Sequence, residues 1–112
     1  MVYKKYEYAD DVDVLYIDNN PERKKPKWNL PIGNMVIDVA SNGKVLGIEI
    51  YSASKFLNFS PEHLNNLKIA EVRVMKMRNL ITFGIFIGTA TEKCNFQLGI
   101  TKDENKLSQI IP

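Results

Sequence analysis

The sequence predicts a mainly β domain, α+β only at the margin: about seven antiparallel strands in a two-layer roll or sandwich, with one short helix near residues 60–67. Three observations carry this. Turn-forming residues recur at short spacing. Apolar residues alternate with polar ones over several stretches. All connections are short enough for hairpins or loops, so nothing calls for a βαβ crossover.

Tyr3 to Tyr8 and Val12 to Asp18 are rich in aromatic and β-branched residues, with Asp10-Asp11 between them as a turn, and read as two strands. Residues 19–33 hold Pro21, Pro26 and Pro31 and read as a long loop, with a short edge strand around Trp28 to Leu30. Asn42-Gly43 is the clearest local signal, because both residues tolerate the positive φ of a two-residue type I′ hairpin turn. That turn sets Val39 opposite Leu46, Ile37 opposite Ile48 and Met35 opposite Ile50, six apolar residues on one face. A slip of one residue would turn one strand's apolar set away, so pattern and turn chemistry support each other.

Ser60 is a good N-cap, Pro61 fits the first helical position, and Phe59 with Leu64 has the spacing of a hydrophobic staple; these define the helix. Ser54 is expected to cap a further turn through Lys55 to Leu57. Residues 69–88 pair about a turn at Arg78-Asn79, with Val74 opposite Phe83, Val72 opposite Ile85 and Ala70 opposite Ile87. Lys76 opposite Ile81 is the one discord. Cys94, Phe96, Leu98 and Ile100 alternate with Asn95, Gln97, Gly99 and Thr101, a half-buried third strand. Residues 69–101 thus read as a three-stranded meander, and 102–112 as a tail expected to fray apart from Ile110 and Ile111.

The length predicts a single domain over 1–112, and 45% hydrophobic with 25% charged residues excludes wholesale disorder. Cys94 is the only cysteine, which excludes an intramolecular disulfide and fits a reducing cytoplasm. Met1 to Asp11 has no apolar run, so no signal peptide is expected. The longest apolar stretch, Leu80 to Ile87, is far short of the roughly 20 residues a membrane helix needs, so no membrane partner is expected. The net charge of +2 is uneven: an acidic stretch over residues 1–20 precedes a basic one over 21–28.

Asp13-Val14-Leu15-Tyr16-Ile17, Val36-Ile37-Asp38, Gly43-Lys44-Val45-Leu46-Gly47-Ile48-Glu49-Ile50 and Ala53-Ser54 together resemble an uncharacterised family, domain of unknown function 2283, over residues 3–56. The resemblance implies a small β-rich fold and no assigned reaction, and some relatives look like partners of small ribonuclease-type toxins. It carries no site residues over, and the meander at 69–101 reads as an extension of the family pattern.

No residue cluster forms a catalytic or metal-binding signature, and no cofactor is expected. His63 is the only histidine, so a Ser-His-Asp or Cys-His arrangement has one candidate, and the favoured reading is an exposed, inert side chain. Cys94, on the apolar face of a strand, reads as a buried structural thiol. Asp10, Asp11, Asp13 and Asp18 lack the spacing and glycine of a calcium loop and read as a solvated turn. Gly84 and Gly88 lie inside a strand pattern, which rules out phosphate-loop readings.

Two weaker features carry functional hypotheses. Arg23, Lys24, Lys25, Lys27 and Trp28 combine cations with an aromatic ring, the ingredients of a single-stranded nucleic-acid site, against the plainer reading of a solvated loop. Thr82, Gly84, Phe86 and Gly88 share one strand face, whose small residues admit either the protein's own helix or a docked protein anchored at Phe86. The leading expectation is a non-enzymatic protein–protein interaction module, antitoxin-like or self-associating as a homodimer. Its candidate edges are the Tyr-rich first strand and the last strand near Thr101. A nucleic-acid-binding protein using residues 22–28 comes second, and an enzyme of unknown type third.

Overall fold

Tight turns between short apolar strands let this chain close two sheets on one core. The computed structural model describes residues 5–76, 78 and 80–101. Strands β1 (Tyr6–Ala9) and β2 (Val14–Asp18) form a hairpin across the Asp10–Asp13 turn. Strands β3 (Trp28–Ile32) and β4 (Met35–Val39) form a second, and β5 (Val45–Tyr51) pairs with both β4 and β2. The first sheet therefore runs β1-β2-β5-β4-β3, a Greek-key arrangement in which the 19–27 loop is the long connection. Two one-turn helices follow, α1 (Ala53–Phe56) and α2 (Pro61–Leu64), then β6 (Ile69–Lys76), β7 (Leu80–Gly88) and β8 (Lys93–Thr101) as a three-stranded meander. Every strand pair is antiparallel. The mainly β expectation holds, with eight described strands and two helices in place of about seven and one.

The β6–β7 register matches the sequence pairing throughout, from Ile69 opposite Gly88 to Lys76 opposite Ile81. The predicted start of the first strand at Tyr3, Asn79 of the β6–β7 turn and the tail 102–112 lie outside the described residues.

The β4–β5 hairpin keeps Ile37 opposite Ile48 and Met35 opposite Ile50, but its turn corrects the sequence reading. Gly43 has φ +86°, and Asn42 is not among the residues with positive φ, so the turn is not type I′. The Ala40 N–H donates to Lys44 O at 2.8 Å and the Gly43 N–H to Ala40 O at 2.9 Å, which closes a three-residue loop with glycine in the left-handed position. The Asn42 side chain accepts the Lys44 N–H at 3.0 Å and holds that geometry. The extra loop residue is absorbed by a bulge, so Val39 faces Val45 rather than Leu46 and the register recovers at Asp38 opposite Gly47.

The core lies between the sheets. Leu15, Ile17, Met35, Ile37, Val39, Val45, Ile48 and Ile50 come from inward positions of the first sheet, and Ala70, Ile81, Phe83, Ile85 and Ile87 from the second. Alternation along each strand puts these residues on one face, and fully burying each Leu, Ile or Phe is worth about 1.5–3 kcal/mol. Tyr6, Tyr8, Trp28, Cys94, Phe96 and Leu98 pack around the margin.

The helices close one side. Ser60 Oγ accepts the His63 N–H at 3.2 Å, Pro61 opens α2, and Phe59 and Leu64 are both buried, as a stapled cap requires. The helix stops at Leu64 rather than running to residue 67. The Asn65 and Asn66 side chains bond the carbonyls of Pro61 and Glu62 at 3.1 and 2.9 Å, and the Leu67 N–H goes to the Tyr6 hydroxyl at 3.1 Å. Ser54 caps no turn through Lys55 to Leu57. It sits inside α1, whose N-cap Ser52 has φ +51° and contributes no side-chain bond.

Candidate functional site

The three-stranded sheet has an outer face that the rest of the described chain leaves open. Alternation on β7 sends Phe83, Ile85 and Ile87 inward and Thr82, Gly84, Phe86 and Gly88 outward. The helices that could have covered these glycines lie on the other side. Phe56 of α1 stacks on inward-facing Phe96 with centroids 4.8 Å apart, and Cys94 Sγ donates to Leu57 O at 3.4 Å. Gly84 instead makes room for a neighbour on its own strand: a Cβ there would stand 2.8 Å from Phe86 Cε2. The Arg73 guanidinium covers the Phe86 ring at 4.8 Å and pairs with Glu71 at 3.1 Å. Arg73, Met75, Thr82, Gly84, Phe86 and Gln97 line a shallow groove of about 340 Å³. Gly88 does not join them; a Cβ there would meet Glu92 O at 3.2 Å, so this glycine serves the β7–β8 turn.

The groove runs to β6, an edge strand whose one sheet neighbour among the described residues is β7. Of the five large apolar side chains exposed among the described residues, Ile69, Val74 and Met75 are on β6, and Met75 is 63% exposed. The sequence reading looked for edges at the first and last strands. Among the described residues both are sheet edges, but in a meander the first strand is an edge as well, and that signal was in the predicted topology.

A second surface was missed entirely. The outer face of the five-stranded sheet brings Tyr16, Asp38, Gly47 and Glu49 together, with Tyr16 opposite Glu49 and Asp38 opposite Gly47. The Tyr16 ring lies across Gly47, and its hydroxyl donates to Asp38 Oδ2 at 3.4 Å, while Asn29 Nδ2 donates to Asp38 Oδ1. Burial, then the carboxylates of Asp38, Asp18 and Glu49, push the Tyr16 phenol far above its ordinary range. The hairpin register itself was the available signal, since it sets an aspartate across from a glycine.

Of the acidic run, Asp13 has a defined structural partner set. Its carboxylate accepts the Tyr8 hydroxyl at 2.6 Å, the Ser54 hydroxyl at 2.7 Å and the Ser54 N–H at 3.0 Å. Burial and the bond to Asp13 push the Tyr8 phenol up to about 12. No group of three or more potential metal ligands is found among the described residues.

In the basic loop, the Asn20 side chain brackets Lys24 through its N–H and carbonyl at 2.9 and 2.8 Å, and residues 21–27 are exposed. Trp28 does not stand clear as a stacking platform. It packs on the core margin opposite Val39, with Lys27 Nζ 5.0 Å from its ring centroid. His63 stacks against Phe59 at 5.2 Å, and burial pushes the Cys94 thiol up, away from reactivity.

Together these features define a small two-sheet β protein distinguished by an open sheet face and edge. Residues 5–54 match the family model described as "Protein of unknown function (DUF2283)", a segment that ends inside α1 and leaves out the three-stranded sheet. The residue blocks behind the resemblance fold into β2, β4, β5 and α1. An uncharacterized protein of Methanocaldococcus jannaschii is 36% identical over 81 residues, 71% of this chain. A Methanosarcina mazei protein named "Putative hypoxanthine phosphoribosyltransferase" is 27% identical over 70 residues, 62% of this chain. The alignments span 66% and 55% of those relatives, less than two thirds of either. No solved structure matches the chain. No helix among the described residues is long and apolar enough to cross a membrane.

Proposed function

We propose that this protein is a protein–protein interaction module that binds through the outer face of its three-stranded sheet and the adjoining β6 edge. The observation that carries the reading is that Met75, 63% exposed, lines the Phe86 groove on the side away from the helices, on an edge strand that also exposes Ile69 on that face and Val74 on the other. Exposed apolar side chains along a strand edge are a surface on which another chain gains contacts, and both Arg and aromatic residues are enriched at interface centres. Both self-association and an antitoxin-like hold on a foreign segment use such an edge.

The name of the Methanosarcina mazei relative suggests nucleotide chemistry for that protein. Here Gly84 lies within β7 and Gly88 ends it, with a strand rather than a helix to follow, so they do not build the strand–loop–helix cradle that holds phosphate. The basic loop supports nucleic-acid binding less well than the β6 surface supports protein binding, because Trp28 is committed to the core margin and to Lys27.

Affinity purification and light scattering of the wild type beside Met75→Lys test the reading. It predicts a stoichiometric partner, a second copy or another protein, that Met75→Lys releases. A monomeric wild type that retains nothing, or a partner that Met75→Lys leaves bound, overturns it.

A further inference from the structure

Resting on that interaction reading, we infer that β6 pairs with β6 of a second copy of this chain, antiparallel about a two-fold axis through Val72. In an antiparallel pair, outward residues lie opposite outward residues. A two-fold axis between identical strands must therefore pass through one residue position, which then faces itself. Near the middle of β6 the choices are Glu71, Val72 and Arg73. An axis at Glu71 sets carboxylate against carboxylate, and one at Arg73 sets guanidinium against guanidinium; like charges directly opposite each other are unfavourable.

The axis at Val72 removes both conflicts and leaves like charges opposite each other only at the two ends of the pairing, where Lys68 meets Lys76. It sets Glu71 opposite Arg73 of the second copy, twice over. It sets Ile69 opposite Met75 on the same outer face and Ala70 opposite Val74 on the inner one. The three exposed apolar residues of β6 all gain contacts across the pairing. Within one chain the Glu71–Arg73 pair stands in solvent, with side chains 41% and 71% exposed, where an isolated ion pair contributes little. The second copy would extend it to four charges of alternating sign, with each Arg73 already held over Phe86. Two three-stranded sheets would become one of six strands, in which the outward N–H and C=O groups of each β6 bond to the other.

The test is sedimentation or light scattering over a concentration series with wild type, Glu71→Arg, Arg73→Glu and the double exchange Glu71→Arg/Arg73→Glu. Circular dichroism of each variant checks folding, which these exposed side chains should not disturb. The wild type should dimerise, each single change should weaken dimerisation about tenfold or more, and the double exchange should restore it to within about threefold. A dimer that the single changes leave intact, or that the exchange fails to restore, overturns the register. A monomeric wild type that still holds a foreign protein through Met75 overturns self-pairing and leaves the interaction reading standing.

Discussion

The Asp13 carboxylate accepts the hydroxyl of Ser54 at 2.7 Å and its N–H at 3.0 Å, tying the β1–β2 turn to the first turn of α1 across 41 residues of sequence. The backbone joins in: Asp13 holds φ +56°, and its carbonyl accepts the Ala53 N–H at 3.0 Å. These bonds satisfy amides at the start of a helix whose N-cap residue offers no side chain of its own. Burial pulls the Asp13 pKa up, but hydrogen bonds from Tyr8 and Ser54, with Lys55 nearby, outweigh it and hold the carboxyl below its ordinary value.

Asp13→Ala is therefore expected to cost about 1.5–3 kcal/mol in denaturant unfolding, the range for hydrogen bonds to a charged group. A group with a lowered folded pKa stabilises above its unfolded value, and that contribution disappears as pH falls through the folded value. The difference between wild type and Asp13→Asn should thus be full near neutrality and shrink below about pH 4. A difference that grows on acidification would contradict the assignment.

Gly47 is required by Tyr16. A Cβ at residue 47 would collide with the Tyr16 hydroxyl and reach 3.0 Å from Ile17 O. Gly47→Ala should displace the ring, break its bond to Asp38 and cost about 1–3 kcal/mol, as overpacking does. Tyr16→Phe keeps the ring and should cost about 1 kcal/mol or less. In the pair Tyr16→Ala/Gly47→Ala the glycine change should cost less than it does alone, which denaturant midpoints would show as non-additivity.

The β4–β5 and β6–β7 pairings were legible because each rests on apolar periodicity, which is written into the sequence residue by residue, whereas the pairing of β2 with β5 was not. Ile37 with Ile48 and Val74 with Phe83 needed nothing else. The bulge at Leu46 was not, because a two-residue and a three-residue loop around Asn42-Gly43 differ in backbone angles rather than in residue types. The early end of α2 turned on Asn65 and Asn66 competing for its last carbonyls. Thr82, Gly84 and Phe86 were recognised as one face, but which side the helices take depends on Phe56 meeting Phe96, a contact 40 residues apart in sequence that no local pattern records. The Tyr16–Asp38 surface needed three strands assembled before its members became neighbours.

Gly43 gives a sharper test of the corrected turn. At φ +86° a β-branched residue is strained, so Gly43→Val should cost about 1–3 kcal/mol. Asn42→Gly removes the side-chain acceptor for the Lys44 N–H without requiring positive φ, and it should cost less than Gly43→Val. In a type I′ turn both positions have positive φ and Asn42→Gly would be neutral or stabilising, so thermal midpoints of the two variants separate the turn types.

Amide hydrogen exchange along β6, followed as a function of protein concentration, bears most directly on the claim that this edge is a binding element. Alternate N–H groups of an edge strand point away from their one neighbour and exchange readily while that side is open. The account predicts that the away-facing amides between Ala70 and Met75 become protected as concentration rises, while those bonded to β7 are protected throughout. Away-facing amides that exchange freely at every concentration, in a wild type that also retains no other protein, would contradict it.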